Sequence, residues 1–286
     1  MIDLHCHALP GMDDGPASYA GSLAMARAAA GAGIEVMTAT PHIRSDYAVA
    51  IDGIRRAVDA LNARLHSEGV AVEVAPGAEV SLAKARTLVD TDLEALCLGT
   101  GRYVLIESPY GHLGPELETA VLGLHNRGFH PVLAHPERSP AFLRDPGRLR
   151  RLVEDGSLCS ITASSLSGAF GPPVRSFALE LLTGGFAHNV ATDSHGATDR
   201  PPSSLRAGLE AMEESVVHSD GYAEWLTDSV PRAILAGGPL PSAPSSGLAL
   251  RPSSEPGRTR LRSRVGSRLP RRVVKLFAAP GHRAGS

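Results

Sequence analysis

Residues 1–16 read MIDLHCHALPGMDDGP, and the way their polar side chains are spaced decides the fold. Ile2, Leu4 and Cys6 alternate with Asp3, His5 and His7, so this is a strand whose two imidazoles leave the same face. A polar face on a strand of a barrel core is tolerated only with partners. Working outward, residues of the same chemical kind recur wherever a strand pattern ends. Asp14 follows in the loop, then His42 in TATPH, Glu79 in PGAEV, Glu107 in VLIES and His135 in VLAHPER. The closing run VATDSH adds Asp193 and His195, again at i and i+2.

The apolar pattern places strands near 2–7, 34–40, 70–75, 103–107, 130–135, 157–163 and 188–193. Helical periodicity falls near 18–32, 50–67, 82–90, 115–127, 146–155, 174–184, 204–217 and 222–236. Such alternation predicts parallel strands covered by helices. About seven βα units suit a closed or nearly closed α/β barrel, because the chemical residues sit at the C-terminal ends of almost every strand and a barrel gathers those ends at one mouth. An open doubly wound sheet would spread them along a line and keep the first and last strands apart.

The chain has 286 residues, 43% of them hydrophobic, enough for one large core. Its formal charge of -2 hides an asymmetry: from about Gly238 onward ten Lys or Arg face the lone Glu255, leaving the body acidic. We expect a folded unit over 1–238 and a disordered Ser/Pro/Arg-rich tail over 239–286, too poor in apolar surface to offset the entropy of ordering it. The tail is either a solvated extension or a basic arm that touches an anionic surface, with RRVVKLF as a short amphipathic anchor. No signal peptide or membrane span is expected, and Cys6, Cys97 and Cys159, without zinc-finger spacing, suit a reducing cytoplasm.

Taken singly, each candidate has an ordinary explanation. His5-x-His7 can be two histidines on a solvated strand, Asp13-Asp14-Gly15 a turn, and His42 a capping or core residue. Glu79 and Glu107 are harder to dismiss, since a carboxylate in an apolar strand is costly to bury unless paired or metal-bound. Five imidazoles and four carboxylates exceed what one ion needs and favour a multinuclear hydrolytic site.

The pieces MIDLHCHALPGMDDGP, TPHIRS, PGAEV, LIESP, AHPERS and ATDSHGATDRPPS, spread over residues 1 to about 236, resemble the polymerase-and-histidinol-phosphatase (PHP) superfamily. Within it they resemble the manganese-dependent protein-tyrosine phosphatases of bacterial capsule and exopolysaccharide operons. The resemblance implies a distorted TIM-like (β/α)7 barrel and three divalent ions, manganese first, with Fe, Zn or Co also compatible. It assigns His5, His7, Glu79 and Asp193 to one ion, Glu79, Glu107 and His135 to a second, and Asp14, His42 and His195 to the third, with Glu79 bridging. Arg138 and Arg200 match the phosphate-binding arginines. A phosphotyrosyl protein, a bacterial tyrosine kinase of polysaccharide export, is the implied partner. The tail lies outside the resemblance.

Charge bookkeeping agrees independently. Four carboxylates against three divalent ions leave a site of net +2 that attracts a phosphate dianion, and planar guanidinium groups can donate paired bonds to its oxygens. The expected mechanism is in-line attack by a hydroxide bridging two ions, with no phosphoenzyme. A cysteine-dependent phosphatase needs C-x5-R, and in the run from Cys97 the arginine, Arg102, comes one residue early. Other readings are a phosphatase of histidinol phosphate or a sugar phosphate, a phosphodiesterase, and a non-catalytic metal-binding module. The body lacks a basic stripe, so no stable nucleic-acid partner is expected. Oligomerisation is left open.

Overall fold

The computed structural model describes residues 1–107, 114, 116–245 and 247–252. Its barrel strands are β1 (Ile2–Cys6), β2 (Val36–Ala39), β3 (His42–Ile43), β4 (Glu73–Pro76), β5 (Glu79–Ser81), β6 (Tyr103–Glu107), β7 (His130–Ala134), β8 (Leu158–Thr162) and β9 (Asn189–Ala191). All pair in parallel, in the orders β1-β2-β4 and β3-β5-β6-β7-β8-β9.

β2 and β3 follow each other across Thr40-Pro41, and β4 and β5 across Gly77-Ala78, so the strands form seven staves, as expected. Pro41 has no N–H to give a ladder, which accounts for the first break. Gly77 marks a close approach: a Cβ there would stand 2.8 Å from Leu98 Cδ2 and 3.1 Å from Thr38 Cγ2. These two kinks re-aim His42 and Glu79, which are direct register partners between β3 and β5.

Closure comes from the residues after β9. Asp193 N donates to His5 O at 2.9 Å, His7 N donates to Ser194 O at 2.8 Å, and Cys6 pairs in parallel with Ser194. The buried Asp3 carboxylate reinforces the seam by accepting from Thr192 N at 2.9 Å and Thr192 Oγ1 at 2.5 Å. The polar face of the first strand thus serves both closure and site.

The strands are buried on both faces, as a helix-wrapped parallel barrel requires. On β6, Val104 and Ile106 join the large core that includes Met25, Ile54, Leu61 and Leu133. Tyr103 and Leu105 join a smaller core with Ile2, Leu4, Val132, Ala134, Leu158, Val230 and Ile234. Glu107 is two residues beyond Leu105 and therefore continues its face.

The long helices form close to their expected limits: Tyr19–Gly31, Ile51–Ser67, Glu116–Asn126, Pro146–Glu154, Pro172–Thr183 and Ser204–Ser215. The expected helix 82–90 instead divides into Leu82–Ala85 and Asp90–Ala95. The helix expected over 222–236 widens into a π turn at Trp225–Ser229, just before Pro231. No helix among the described residues is long and apolar enough to cross a membrane.

The expected boundary at 238 moves outward, because the compact unit extends to Arg251. Carbonyls of the proline-rich segment accept from the body: Trp225 Nε1 donates to Pro241 O at 3.1 Å and Tyr222 Oη to Pro244 O at 3.3 Å. Leu248 is buried, and Ala249–Leu250 pairs antiparallel with Val216–Val217. Composition concealed this, because the segment is held by its carbonyls and one leucine rather than by an apolar face. The remainder of the expected disordered tail, with RRVVKLF, lies outside the described residues.

Candidate metal centre

All nine expected ligands meet at the C-terminal mouth of the barrel, and eight of them are buried; Asp14 alone is exposed. The β1 pair is aimed by the loop that follows. His7 Nδ1 donates to Asp13 Oδ2 at 2.6 Å, and Asp13 also accepts from His42 N at 3.0 Å and Gly15 N at 3.1 Å. A carboxylate only accepts, so Nδ1 carries the proton and Nε2 faces the cluster. Gly15 admits this packing, since a Cβ there would lie 2.2 Å from His7 O.

His135, Asp193 and Arg200 hold φ values of 36°, 52° and 44°, three of the four non-glycine residues with positive φ among those described. Such backbone strain concentrates where surrounding structure over-determines a functional side chain. The turn after His135 is pinned by Glu137, fully buried, which accepts from Thr162 N at 3.0 Å and Ser165 Oγ at 2.6 Å. That clamp sets the position of Arg138.

Four buried candidate ligand atoms, His5 Nε2, His7 Nε2, His42 Nδ1 and Glu79 Oε2, have no hydrogen-bond partner. His5 Nε2 stands 3.4 Å from Glu79 Oε2 and 3.5 Å from Asp193 Oδ1, and His7 Nε2 stands 3.4 Å from Asp193 Oδ1. His42 Nδ1 is 3.0 Å from Glu79 Oε2, yet misaligned for a hydrogen bond. Asp14 Oδ1 lies 3.3 Å from His195 Nε2 and 3.7 Å from His42 Nε2. Two donors each about 2.1 Å from one ion stand roughly 3.0–3.4 Å apart, so these separations suit edges of coordination shells better than hydrogen bonds. Unpartnered imidazole and carboxylate atoms converging in a buried site fit divalent metal ions.

The candidate ligand atoms fall into four overlapping groups, each close enough together to hold an ion: His7, Asp14, His42 and His195; His5, His7 and Asp193; His5, Glu79 and His135; and His42, Glu79 and Glu107. The set expected for the third ion, Asp14, His42 and His195, stays together with His7 added, while His5, His7 and Asp193 of the first set group without Glu79. Glu107, however, stands with His42, and His135 stands with His5, so the set expected for the second ion is divided about Glu79.

The electrostatics follow from this crowding. Burial alone would raise the Glu79 carboxyl, but the charge of His5 and the hydrogen bond from His135 Nε2 at 2.8 Å carry it well below the usual range. Asp193 behaves alike, burial being outweighed by His5 and His7. Glu107 goes the other way, raised by burial and by the neighbouring charge of Glu79. Burial would lower His7, yet its contacts with Asp13 and Asp193 push it up to about 10. His135 is also raised, its burial outweighed by Glu79.

Ligation by these imidazoles requires the protons to leave. Metal uptake is therefore expected to release protons and to tighten as pH rises, since competition by His7 and His135 protons declines in that direction. Calorimetry in two buffers of different ionisation heat checks this; an affinity flat between about pH 6 and 8 with no proton release would contradict it.

Two guanidinium groups close the mouth. Arg138 Nη1 donates to Asp193 Oδ2 at 2.5 Å and Arg200 Nη1 donates to the same oxygen at 2.8 Å. Arg138 lies over Phe170, 4.3 Å from the ring centroid. With Arg44, which the sequence reading passed over, they line a cavity of about 200 Å3 floored by Glu79 and His135. A larger cavity of about 550 Å3, bounded by Ile2, Val36, Val74 and Leu235, gathers no such group among the described residues. Also passed over as functional were Asp13 and Glu137; the doubled Asp13-Asp14 was the one available signal for the former.

The family described as capsular polysaccharide synthesis, CpsB/CapC, matches residues 1–236. Tyrosine-protein phosphatase YwqE of Bacillus subtilis (strain 168) is 40% identical over 204 residues, 70% of this chain and 79% of that protein. Tyrosine-protein phosphatase CpsB of Streptococcus pneumoniae is 28% identical over 209 residues, 71% of this chain and 86% of that one. A chain from the crystal structures of YwqE from Bacillus subtilis and CpsB from Streptococcus pneumoniae, unique metal-dependent tyrosine phosphatases, superposes with a TM-score of 0.74 at 33% identity. The match covers 84% of this chain and 96% of that chain. The lactonase Lmo2620 from Listeria monocytogenes, 13% identical with a TM-score of 0.51 over 82% and 94% of the two chains, shares the fold alone. Barrel, site and a match running from the first strand to the last helix agree: the chain belongs to the CpsB/CapC family of capsular polysaccharide synthesis.

Proposed function

We propose that the protein is a metal-dependent tyrosine-protein phosphatase whose three divalent ions, manganese first, are held by His5, His7, Asp14, His42, Glu79, Glu107, His135, Asp193 and His195. The observation that carries this reading is the convergence of four unpartnered buried ligand atoms beside two guanidinium groups. The relatives named YwqE and CpsB are tyrosine-protein phosphatases, which supports the same activity here. When bound, such ions lower the pKa of water toward neutrality and offset the charge of a phosphate ester.

The chain's own residues do the rest. Glu79 lies among His5, His7, His42 and His135 and would supply the negative charge that offsets the ions these imidazoles hold. Arg138 and Arg200 reach the mouth from different loops and are placed to donate to phosphate oxygens as charge moves onto them. A tyrosine leaving group, with a pKa of about 10, departs without strong acid assistance, and none is assigned. The substrate is a phosphotyrosyl protein, with a tyrosine kinase of capsule or exopolysaccharide synthesis as the partner and the cytoplasm as the place.

Thiol chemistry finds no support. Cys6, Cys97 and Cys159 are buried, and burial raises the thiols, Cys97 to about 12. The Cys97–Arg102 run is committed elsewhere: Gly99 N donates to Pro76 O, Thr100 N to Leu235 O, and Arg102 binds Glu94 and the carbonyls of Arg127 and Gly128. Alkylation of the native protein is expected to leave turnover within about twofold, whereas a chelator removes it; loss of activity to alkylation alone would overturn the assignment. The deciding experiment strips the metal, adds back single ions, and assays phosphotyrosyl peptide, histidinol phosphate and a phosphodiester. Preference for histidinol phosphate or the diester would replace the proposed substrate class.

A further inference from the structure

We infer that Arg44 and Tyr47, on the loop after β3, form the part of the site that recognises an aryl phosphate, Arg44 by its phosphate and Tyr47 by its ring. The inference rests on the phosphatase reading above and names the residues that select its substrate.

Arg44 is held in two directions. Its Nε and Nη2 donate to Asp46 Oδ1 at 3.0 Å and Oδ2 at 2.7 Å, while Nη1 reaches into the site and donates to Glu107 Oε1 at 2.8 Å. The Asp46 fork fixes the plane of the guanidinium and keeps Nη1 aimed at the cavity that Arg138 and Arg200 also line. Glu107 is one of the proposed ligands, grouped with His42 and Glu79. A cation on Glu107 satisfies that carboxylate and repels a guanidinium beside it. Nη1 then needs another anionic acceptor, and a phosphate oxygen between cation and arginine meets both demands.

Tyr47 supplies the second half. Its ring stacks on His42 with centroids 5.3 Å apart and an interplanar angle of 9°, and Arg44 sits 5.8 Å from its centroid. The half-buried phenol thus prolongs the wall made by His42 outward from the cavity. A phenyl group attached to a phosphate in that cavity projects along this wall, where offset stacking is available to an aromatic ring and not to an alkyl chain. Phe170, a further aromatic side chain among the described residues near the mouth, is already covered by Arg138 at 4.3 Å.

The test is equilibrium binding of inorganic phosphate and phenylphosphonate to the metal-loaded full chain, with metal content measured on each sample. Tyr47→Ala is expected to weaken phenylphosphonate about 5-fold to 10-fold while phosphate changes less than about twofold, and Tyr47→Phe to restore phenylphosphonate. Arg44→Ala is expected to weaken both ligands about tenfold at unchanged metal content. Equal weakening of the two ligands by Tyr47→Ala, or unchanged binding in both alanine variants, would overturn the inference while leaving the phosphatase reading intact. Failure of the metal-loaded unsubstituted chain to bind either ligand would remove the phosphatase reading, and the inference with it.

Discussion

Glu79→Gln is expected to lower turnover by more than roughly 10³-fold and to empty the site of most of its metal. Glu79 is fully buried, and its two oxygens address four histidines: Oε1 faces His135 at 2.8 Å, while Oε2 faces His42 at 3.0 Å, His5 at 3.4 Å and His7 at 3.7 Å. Glutamine keeps the shape and removes the charge. It also turns one acceptor oxygen into an amide donor directed at imidazole nitrogens, which disfavours ligation by the carboxamide and by its neighbours together. Because Glu79 belongs to two of the four ligand groups, its loss is felt by more than one ion. Elemental analysis beside single-turnover kinetics checks this, with circular dichroism confirming that the barrel remains. Full metal content with retained turnover would show that Glu79 does not bridge, and the three-ion assignment would then fail.

How far this site was legible depends on which residues announce themselves by alternation. The strand 2–7 and the closing Asp193-Ser194-His195 both carry polar residues two apart on buried strands, and the seam between His5, His7, Asp193 and Ser194 is where they meet. Glu107 was readable because a carboxylate after Tyr103-Val104-Leu105-Ile106 has no inexpensive solvated place to go. The kinks at Thr40-Pro41 and Gly77-Ala78 were not readable as breaks. They depend on the missing N–H of Pro41 and on Leu98 pressing against Gly77, a contact between distant segments. The same holds for Arg44, which looks like an ordinary loop arginine until the fold brings Glu107 to it. Asp13-Asp14-Gly15 also reads as turn chemistry, and Asp13 does make a turn with Gly15; its bond to His7 comes from a backbone path that local propensity does not specify. Proline-rich composition likewise gave no sign that residues 239–245 and 247–251 pack on the barrel, because the carbonyls they offer to Trp225 and Tyr222 are present in any sequence.

Arg138→Ala and Arg200→Ala are each expected to reduce kcat/KM by about 10²-fold to 10³-fold, with metal content nearly intact. Both guanidinium groups donate to Asp193 Oδ2, the oxygen turned away from the His5 and His7 nitrogens, while Oδ1 faces those nitrogens at 3.5 Å and 3.4 Å. The arginines therefore share one acceptor without occupying the ligand face of the carboxylate. Removal of one leaves the other to hold Asp193 in its strained φ of 52°, so metal affinity falls far less than turnover. Sharing also makes the pair non-additive: in the double variant Asp193 loses both supports, and metal affinity is expected to drop by about 10-fold to 100-fold, as when an outer-shell partner is removed from a ligand. A phosphotyrosyl substrate titrated against each single variant, the double variant and the unsubstituted chain separates the two roles. Single variants that lose metal in proportion to activity would recast the arginines as supports of Asp193, and the phosphate would then have to be held by Arg44 and the ions alone.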